Sequence, residues 1–288
     1  AAFAVFRISL INFISGTSFV KALTENRFSI PSFIFIILLS NFVGSYIIYN
    51  KHHKGAIYMI GDMQSWKPNV AGIIEHARSM HPSTEVVSRL VSGEIHKTNY
   101  EEVCIRSRKL ASALEKDGIK KGDVIATLAL NTYRHLEMYY GISGMGAITH
   151  TLNFRLHPEQ AVYIINHAED KMIFVELPFV PILEGLQDNL STVEKYVVLC
   201  NEDEMPETSL KNALSYEEYI KNGDENYSWP EMDDDAACAL CYTSGTTGNP
   251  KGVLYSHKSN ILHAQVALTA MTIQADDSIL MVVPLFHV

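Results

Sequence analysis

Short apolar runs alternate with helix-patterned stretches through most of this chain, and that alternation restricts the fold more than any other feature of the sequence. The runs at 124–130 (VIATLAL), 171–176 (KMIFVE), 196–200, 236–242 and 279–283 have strand length and little polar content, and a further strand is predicted around 147–152. Between them, residues 70–80 carry apolar side chains at helical spacing. A capping box at Thr98, Asn99, Tyr100 and Glu101 opens a helix that runs to about Lys116 and stops at Gly118. Further helices are predicted over 134–142, from His157-Pro158 onward, and over 256–271. Strands without a polar face, separated by helices, predict an α/β fold: a layered domain of mainly parallel sheet covered on both faces. No internal repeat is present.

Charge narrows the partners. The net charge is -9 over 288 residues. Residues 201–235 hold twelve Asp/Glu and two Lys, a net of -10, which leaves about +1 for everything else. That segment reads as a solvated surface excursion with a short helix inside it. No basic footprint for nucleic acid exists. Four cysteines (Cys104, Cys200, Cys238, Cys241) are too few for a disulfide framework in a chain of this length, and a reducing, cytoplasmic setting is expected.

Residues 1–58 differ in character from the rest and form an apolar leader outside the predicted fold. Residues 30–49 carry no charge over a length that spans a bilayer, and Lys51, His52, His53 and Lys54 follow at once. Hydropathy alone reads this as a membrane anchor, giving a membrane-associated protein. A signal peptide is disfavoured, because the run is long and no small-residue cleavage site follows. The third reading, which the sequence favours, is that the leader is not part of the working protein. The chain starts at Ala1, its beginning lacks helical or strand period, and the globular pattern starts near Met59 or Met63. The domain is therefore expected over 59–288.

The run ending at Tyr242 is followed by Thr243, Ser244, Gly245, Thr246, Thr247, Gly248, Asn249, Pro250, Lys251, Gly252 and Val253. Four hydroxyls, three glycines and a lysine within 243–252 suit a polyphosphate. Glycine lets backbone N–H groups turn toward one anion, hydroxyls donate to phosphate oxygens or bind magnesium, and Lys251 adds a full positive charge. An ordinary Ser/Gly turn needs no such combination. The common kinase and GTPase loop is disfavoured too, because Pro250 precedes Lys251 and Gly252 follows it.

From Tyr242 through Gly252 the stretch resembles the signature loop of the adenylate-forming superfamily of acyl-CoA synthetases, luciferases and peptide-synthetase adenylation domains. A second motif of that family follows at Val283, Pro284, Leu285, Phe286, His287 and Val288. The stretches 131–137 (NTYRHLE), 144–147 (GMGA), 152–156 (LNFRL) and 166–170 (NHAED) are most similar to its fatty-acid–CoA ligase branch. The resemblance covers roughly 66–288 and excludes the leader. It implies ATP-dependent activation of a fatty acid to acyl-AMP and then acyl-CoA, with ATP, Mg2+ and CoA as the groups required. By the same resemblance Thr243, Ser244, Gly245, Thr246, Thr247, Gly248 and Lys251 cradle the β- and γ-phosphates, and Thr246 binds magnesium. Lys251 and His287 are the catalytic candidates, with His287 beside the carboxylate and α-phosphate and Val288 next to the nucleotide. A homodimer is a further expectation.

The family's acidic magnesium ligand, ribose-binding aspartate, hinge and catalytic lysine would lie downstream of the second motif. The chain is therefore expected to be an N-terminal portion that lacks the C-terminal domain and is inactive by itself. Part of the sheet that should bury 279–283 is expected to be missing as well. The alternatives are an aryl-acid–CoA ligase, an amino-acid adenylation domain, or a non-catalytic, membrane-anchored nucleotide-binding module. Cys238 and Cys241 have redox-motif spacing, but strand positions three apart face opposite ways. His257 and His263 are six apart on a helix and are expected to be surface or packing residues.

Overall fold

The computed structural model describes residues 66–243 and 249–287. The leader, including residues 30–49, lies outside them, and no helix among the described residues is long and apolar enough to cross a membrane. In chain order the elements begin with α1 (Val70–Met80), β1 (Glu85–Arg89), β2 (Ile95–Asn99), α2 (Tyr100–Lys116) and β3 (Val124–Leu128). Then come α3 (Tyr133–Gly144), β4 (Ile148–Thr151), α4 (Pro158–Ala168), β5 (Met172–Val175), α5 (Val180–Leu186) and β6 (Lys195–Val198). The last are β7 (Ala213–Ser215), α6 (Tyr216–Lys221), β8 (Ala237–Thr243), β9 (Lys251–Ser256) and α7 (His257–Met271). A seven-stranded sheet runs in the order β7-β6-β5-β3-β4-β8-β9. Every neighbouring pair in it is parallel except β8 and β9.

The absence of a polar face on the strands has the expected consequence. Along β5, Met172 and Phe174 pack with Leu110 and Leu114 of α2, Met138 and Ile142 of α3, and Tyr216 and Tyr219 of α6. Ile173 and Val175 point the other way, into a second core with Ile164 and Ile165 of α4 and Val180 and Leu183 of α5. Two hydrophobic cores, one on each side of the sheet, follow from the strand's period of two.

Four expectations are corrected. The cap of α2 is one residue later than the box at Thr98 implied: the Asn99 side chain accepts from Glu102 N at 2.9 Å. Thr98 cannot serve, because β2 pairs it with Val86 in an antiparallel hairpin of β1 and β2 to which the sequence analysis assigned no element. Edge strands β7 and β9 likewise add to the predicted set. Third, residues 201–235 are not merely a solvated excursion. They contribute β7 to the sheet and α6 to the core, with Tyr216 fully buried. Tyr216 and Glu217 also join a polar network in which Arg106 bonds Glu137 at 2.7 Å and Glu217 at 2.9 Å, and Arg134 bonds Glu217 at 3.1 Å. Much of the acidic charge is solvated, but Glu217 compensates two arginines.

Fourth, 279–283 is not a strand. Among the described residues it pairs with no neighbour, and its side chains stand 53–84% exposed. Hydrophobic content suits a strand, but a strand exists only through a ladder partner.

Candidate active site

In open α/β sheets ligands lie beyond the carboxyl ends of the parallel strands. Here those ends lead into Asn131 after β3, Asn153 and Phe154 after β4, Glu176 after β5, and Thr243 at the end of β8. The predicted phosphate loop is the connection of the β8–β9 hairpin. Thr243 and Lys251 face each other as its closing pair, with Thr243 Oγ1 donating to Lys251 O at 3.5 Å, and both are exposed. Ser244, Gly245, Thr246, Thr247 and Gly248 lie outside the described residues, as does Val288. Gly252 has a different use from the one its place in the loop suggests. It pairs with Tyr242, and a Cβ there would sit 3.1 Å from Leu240 Cδ1 and 3.2 Å from Tyr242 Cζ, so the missing side chain leaves room for these two.

The base of the hairpin rests on polar groups, exposed His167 on one side and buried His150 and Asp170 beneath. The Tyr242 hydroxyl and His167 Nδ1 lie 2.6 Å apart. The Tyr242 ring is tilted against His150 at 5.1 Å. His150 Nδ1 in turn meets Asp170 Oδ2 at 2.7 Å, with both side chains fully buried. Burial raises the Asp170 carboxyl above its ordinary range, and the His150 ring opposes that rise. Residues 166–170 carry only a family resemblance in sequence; the contact of His167 with Tyr242 is a tertiary one.

His287 reaches the same edge from another direction. Its neighbour Phe286 is 4% exposed and meets Phe154 edge-on at 4.9 Å. The Phe286 carbonyl accepts from Thr151 Oγ1 at 3.4 Å and faces Cys241 Sγ at 3.8 Å, at the ends of β4 and β8. Asn131 and Tyr139 hold the residues just before it. His287 itself is exposed. The structure thus brings Thr243, Lys251 and His287 to one end of β8, while Tyr139, Thr151 and Asn131, without an individual role in the sequence reading, hold the residues just before His287.

Glu176 sits at this edge too, accepting from Leu130 N at 3.3 Å. Burial pushes its carboxyl up to about 7, against smaller opposing effects of that hydrogen bond and of Arg134. A carboxyl raised in the folded state stabilises below its unfolded value and loses that contribution as pH rises through about 7. Glu176→Gln removes the ionisation and keeps an acceptor for Leu130 N. It should therefore gain stability relative to wild type by about 2–3 kcal/mol more at pH 8.5 than at pH 5. Denaturant melts at the two pH values measure this, and an equal effect at both would refute it.

Other candidates fall away from the edge. Cys238 bonds Asn260 of α7 at 3.1 Å while Cys241 meets Thr151 at 3.1 Å, consistent with opposite faces of β8. Burial pushes the Cys238 thiol up to about 11. His257 is fully buried and accepts from Val70 N at 3.2 Å, which makes it a packing residue, while His263 is exposed. Asp233, Asp234 and Asp235 cluster at the amino end of β8, the end away from Thr243, and pair with Lys67 and Lys258.

A mainly parallel sheet with a glycine- and hydroxyl-rich hairpin at its carboxyl edge and an exposed histidine beside it defines a class of α/β enzyme domain. Within that class the chain belongs to the AMP-binding enzyme family, whose profile matches residues 74–288. It is 44% identical over 232 residues to a medium-chain-fatty-acid–CoA ligase of Ectopseudomonas oleovorans, covering 80% of this chain and 42% of that one. It is 42% identical over 232 residues to a 3-methylmercaptopropionyl-CoA ligase of Ruegeria pomeroyi, covering 80% and 43%. In fold it is similar to a long-chain-fatty-acid–CoA ligase from Archaeoglobus fulgidus, with a TM-score of 0.67, 22% identity, and coverage of 81% of this chain and 46% of that one. The chain spans about two-fifths of the length of the curated relatives it matches.

Proposed function

We propose that this chain forms the phosphate-binding front portion of an ATP-dependent, AMP-forming acyl-CoA ligase that activates a fatty acid. The observation that carries the reading is 44% identity to a medium-chain-fatty-acid–CoA ligase over a span of 232 residues. Closure of the candidate loop by the Thr243–Lys251 pair at the sheet's carboxyl edge supports it. In this reading Thr243, Ser244, Gly245, Thr246, Thr247, Gly248 and Lys251 hold the β- and γ-phosphates of ATP. The acid's carboxylate oxygen bonds to the α-phosphorus, the bond to the β-phosphate oxygen breaks, and pyrophosphate leaves. The thiol of CoA then bonds to the acyl carbonyl carbon, and AMP leaves with the electron pair of the broken bond. Lys251 offsets charge on the departing pyrophosphate, and His287 and Val288 lie beside the α-phosphate and the nucleotide. Hydroxyl and phosphate oxygens suit magnesium, which Thr246 would help hold and which would supply further charge neutralisation. Membrane contact through 30–49 and pairing with a second copy belong to the same proposal.

The test is acid-dependent ATP–pyrophosphate exchange in the full ligase. Thr246→Val should cost about 2–4 kcal/mol of transition-state stabilisation, roughly thirtyfold to a thousandfold in rate, and Lys251→Ala should weaken the same half-reaction. Unchanged exchange in both variants would overturn the assignment. A second reading concerns the acid. Identity to the 3-methylmercaptopropionyl-CoA ligase is nearly as high, at 42%, so a panel of acids in the same assay decides between a fatty acid and a thioether acid.

A further inference from the structure

We propose that Asn131 is a positioning residue that sets His287 in place, an inference that rests on the role given to His287 above. The Asn131 side chain has two N–H donors and one carbonyl acceptor, and it directs all of them at one distant segment. Its Nδ2 donates to Met281 O at 2.9 Å and to Val283 O at 2.8 Å, and its Oδ1 accepts from Leu285 N at 2.8 Å. The pattern also fixes the amide's orientation, because a flipped amide would set its oxygen against two carbonyls.

Among the described residues the other contacts of this stretch are few. Residues 279–283 pair with no strand among the described residues and expose their side chains, so neither a ladder nor apolar burial fixes them. Asn131, by contrast, stands on a rigid base. It follows β3 by three residues and lies two before α3, which is packed into the core. The chain then has two anchors before His287. One is the buried Phe286 ring, and the other is the Asn131 clamp, with the Tyr139 hydroxyl donating to Leu285 O between them. His287 N closes the turn onto Pro284 O at 3.0 Å, so the path from 283 to 287 is set within one turn. Loss of Asn131 leaves the segment held at Leu285 and Phe286 by Tyr139, Thr151 and the buried ring: it stays attached, but Met281 and Val283 lose their fixing contacts and the direction of the chain into the site is less closely set. A displacement on the order of 1 Å at a reacting group costs as much as a hundredfold in rate.

The experiment is a double-mutant cycle in the full ligase, followed by acid-dependent pyrophosphate exchange. Asn131→Ala should lower the maximal exchange rate roughly tenfold to a hundredfold, with the KM for ATP changed less than about threefold. In the His287→Ala background the same change should cost almost nothing, because its effect passes through His287. Asn131→Asp, nearly isosteric but without donors, should match Asn131→Ala, and it keeps the test open if the alanine variant folds poorly. Full additivity of the two losses, or an active Asn131→Ala enzyme beside an impaired His287→Ala enzyme, overturns this proposal and leaves the functional reading standing. An unimpaired His287→Ala enzyme removes the reading itself.

Discussion

Replacing Arg106 with methionine is expected to lower the stability of this chain by about 3–5 kcal/mol, the cost of leaving a buried charge without its partner. The Arg106 guanidinium bonds Glu137 Oε1 through Nε at 2.7 Å and grips both oxygens of Glu217 at 2.9 Å. Glu137 is completely buried, and its other oxygen takes only the Tyr216 hydroxyl, at 2.9 Å. Burial already raises the Glu137 carboxyl above its usual range, and Arg106 is the largest influence opposing that rise. Without Arg106 the carboxyl rises further. A raised carboxyl loses its contribution as pH increases, so the deficit of the variant should be greater at pH 8 than at pH 5. Glu217 keeps Arg134 at 3.1 Å, so the damage centres on Glu137. The double variant Arg106→Met, Glu137→Leu should recover most of the loss, since it removes both charges. Urea melts of wild type and the two variants at both pH values measure all of this. A single variant as stable as wild type would show that the network contributes nothing.

Phe174→Ala is the second large effect, again about 3–5 kcal/mol. Phe174 sits on β5 with no exposed surface, and its ring meets Tyr216 at 6.2 Å and Tyr219 at 5.9 Å, both steeply inclined. The alanine variant would lose the transfer energy of the ring, leave a cavity between sheet and α6, and lose two edge-to-face contacts. The contrast is Val282→Ala. Val282 belongs to an equally apolar stretch but is 75% exposed, so its loss should stay within about 0.5 kcal/mol. Thermal or urea melts of the two variants separate these cases. Similar losses at both positions would mean that 279–283 is packed after all.

Tyr216 and Tyr219 lie inside the acidic segment that charge alone marks as a surface excursion. Charge density is a local property, whereas their burial depends on Phe174, some forty residues earlier and on another element. The same distinction runs through the rest of the chain. Strands β3, β5, β6 and β8 are legible because a strand covered on both faces is mostly apolar, and that requirement is written in consecutive residues; β4 instead buries Thr149, His150 and Thr151, which find polar partners. Helices α1, α2, α3, α4 and α7 are legible from their period or their terminal signals, whereas the short α5 has no such signal in the sequence reading. Edge strands β7 and β9 are not legible, since an edge strand needs only backbone partners on one side and little apolar content; β9 is mostly exposed.

For the candidate site, the sequence alone determined the chemistry on offer: hydroxyls, glycines and a lysine in one loop, and a histidine in a second motif. It also determined the family, because such a string is local and specific. Only the tertiary structure decided what supports them. Tyr242 rests on His167 and His150, and Asn131 reaches across 150 to 154 positions to hold the chain before His287. Only the tertiary structure, too, decided that 279–283 has no ladder partner among the described residues. Hydrogen-bond partners of this kind depend on which strands the sheet sets side by side, and no local pattern of residues encodes that order.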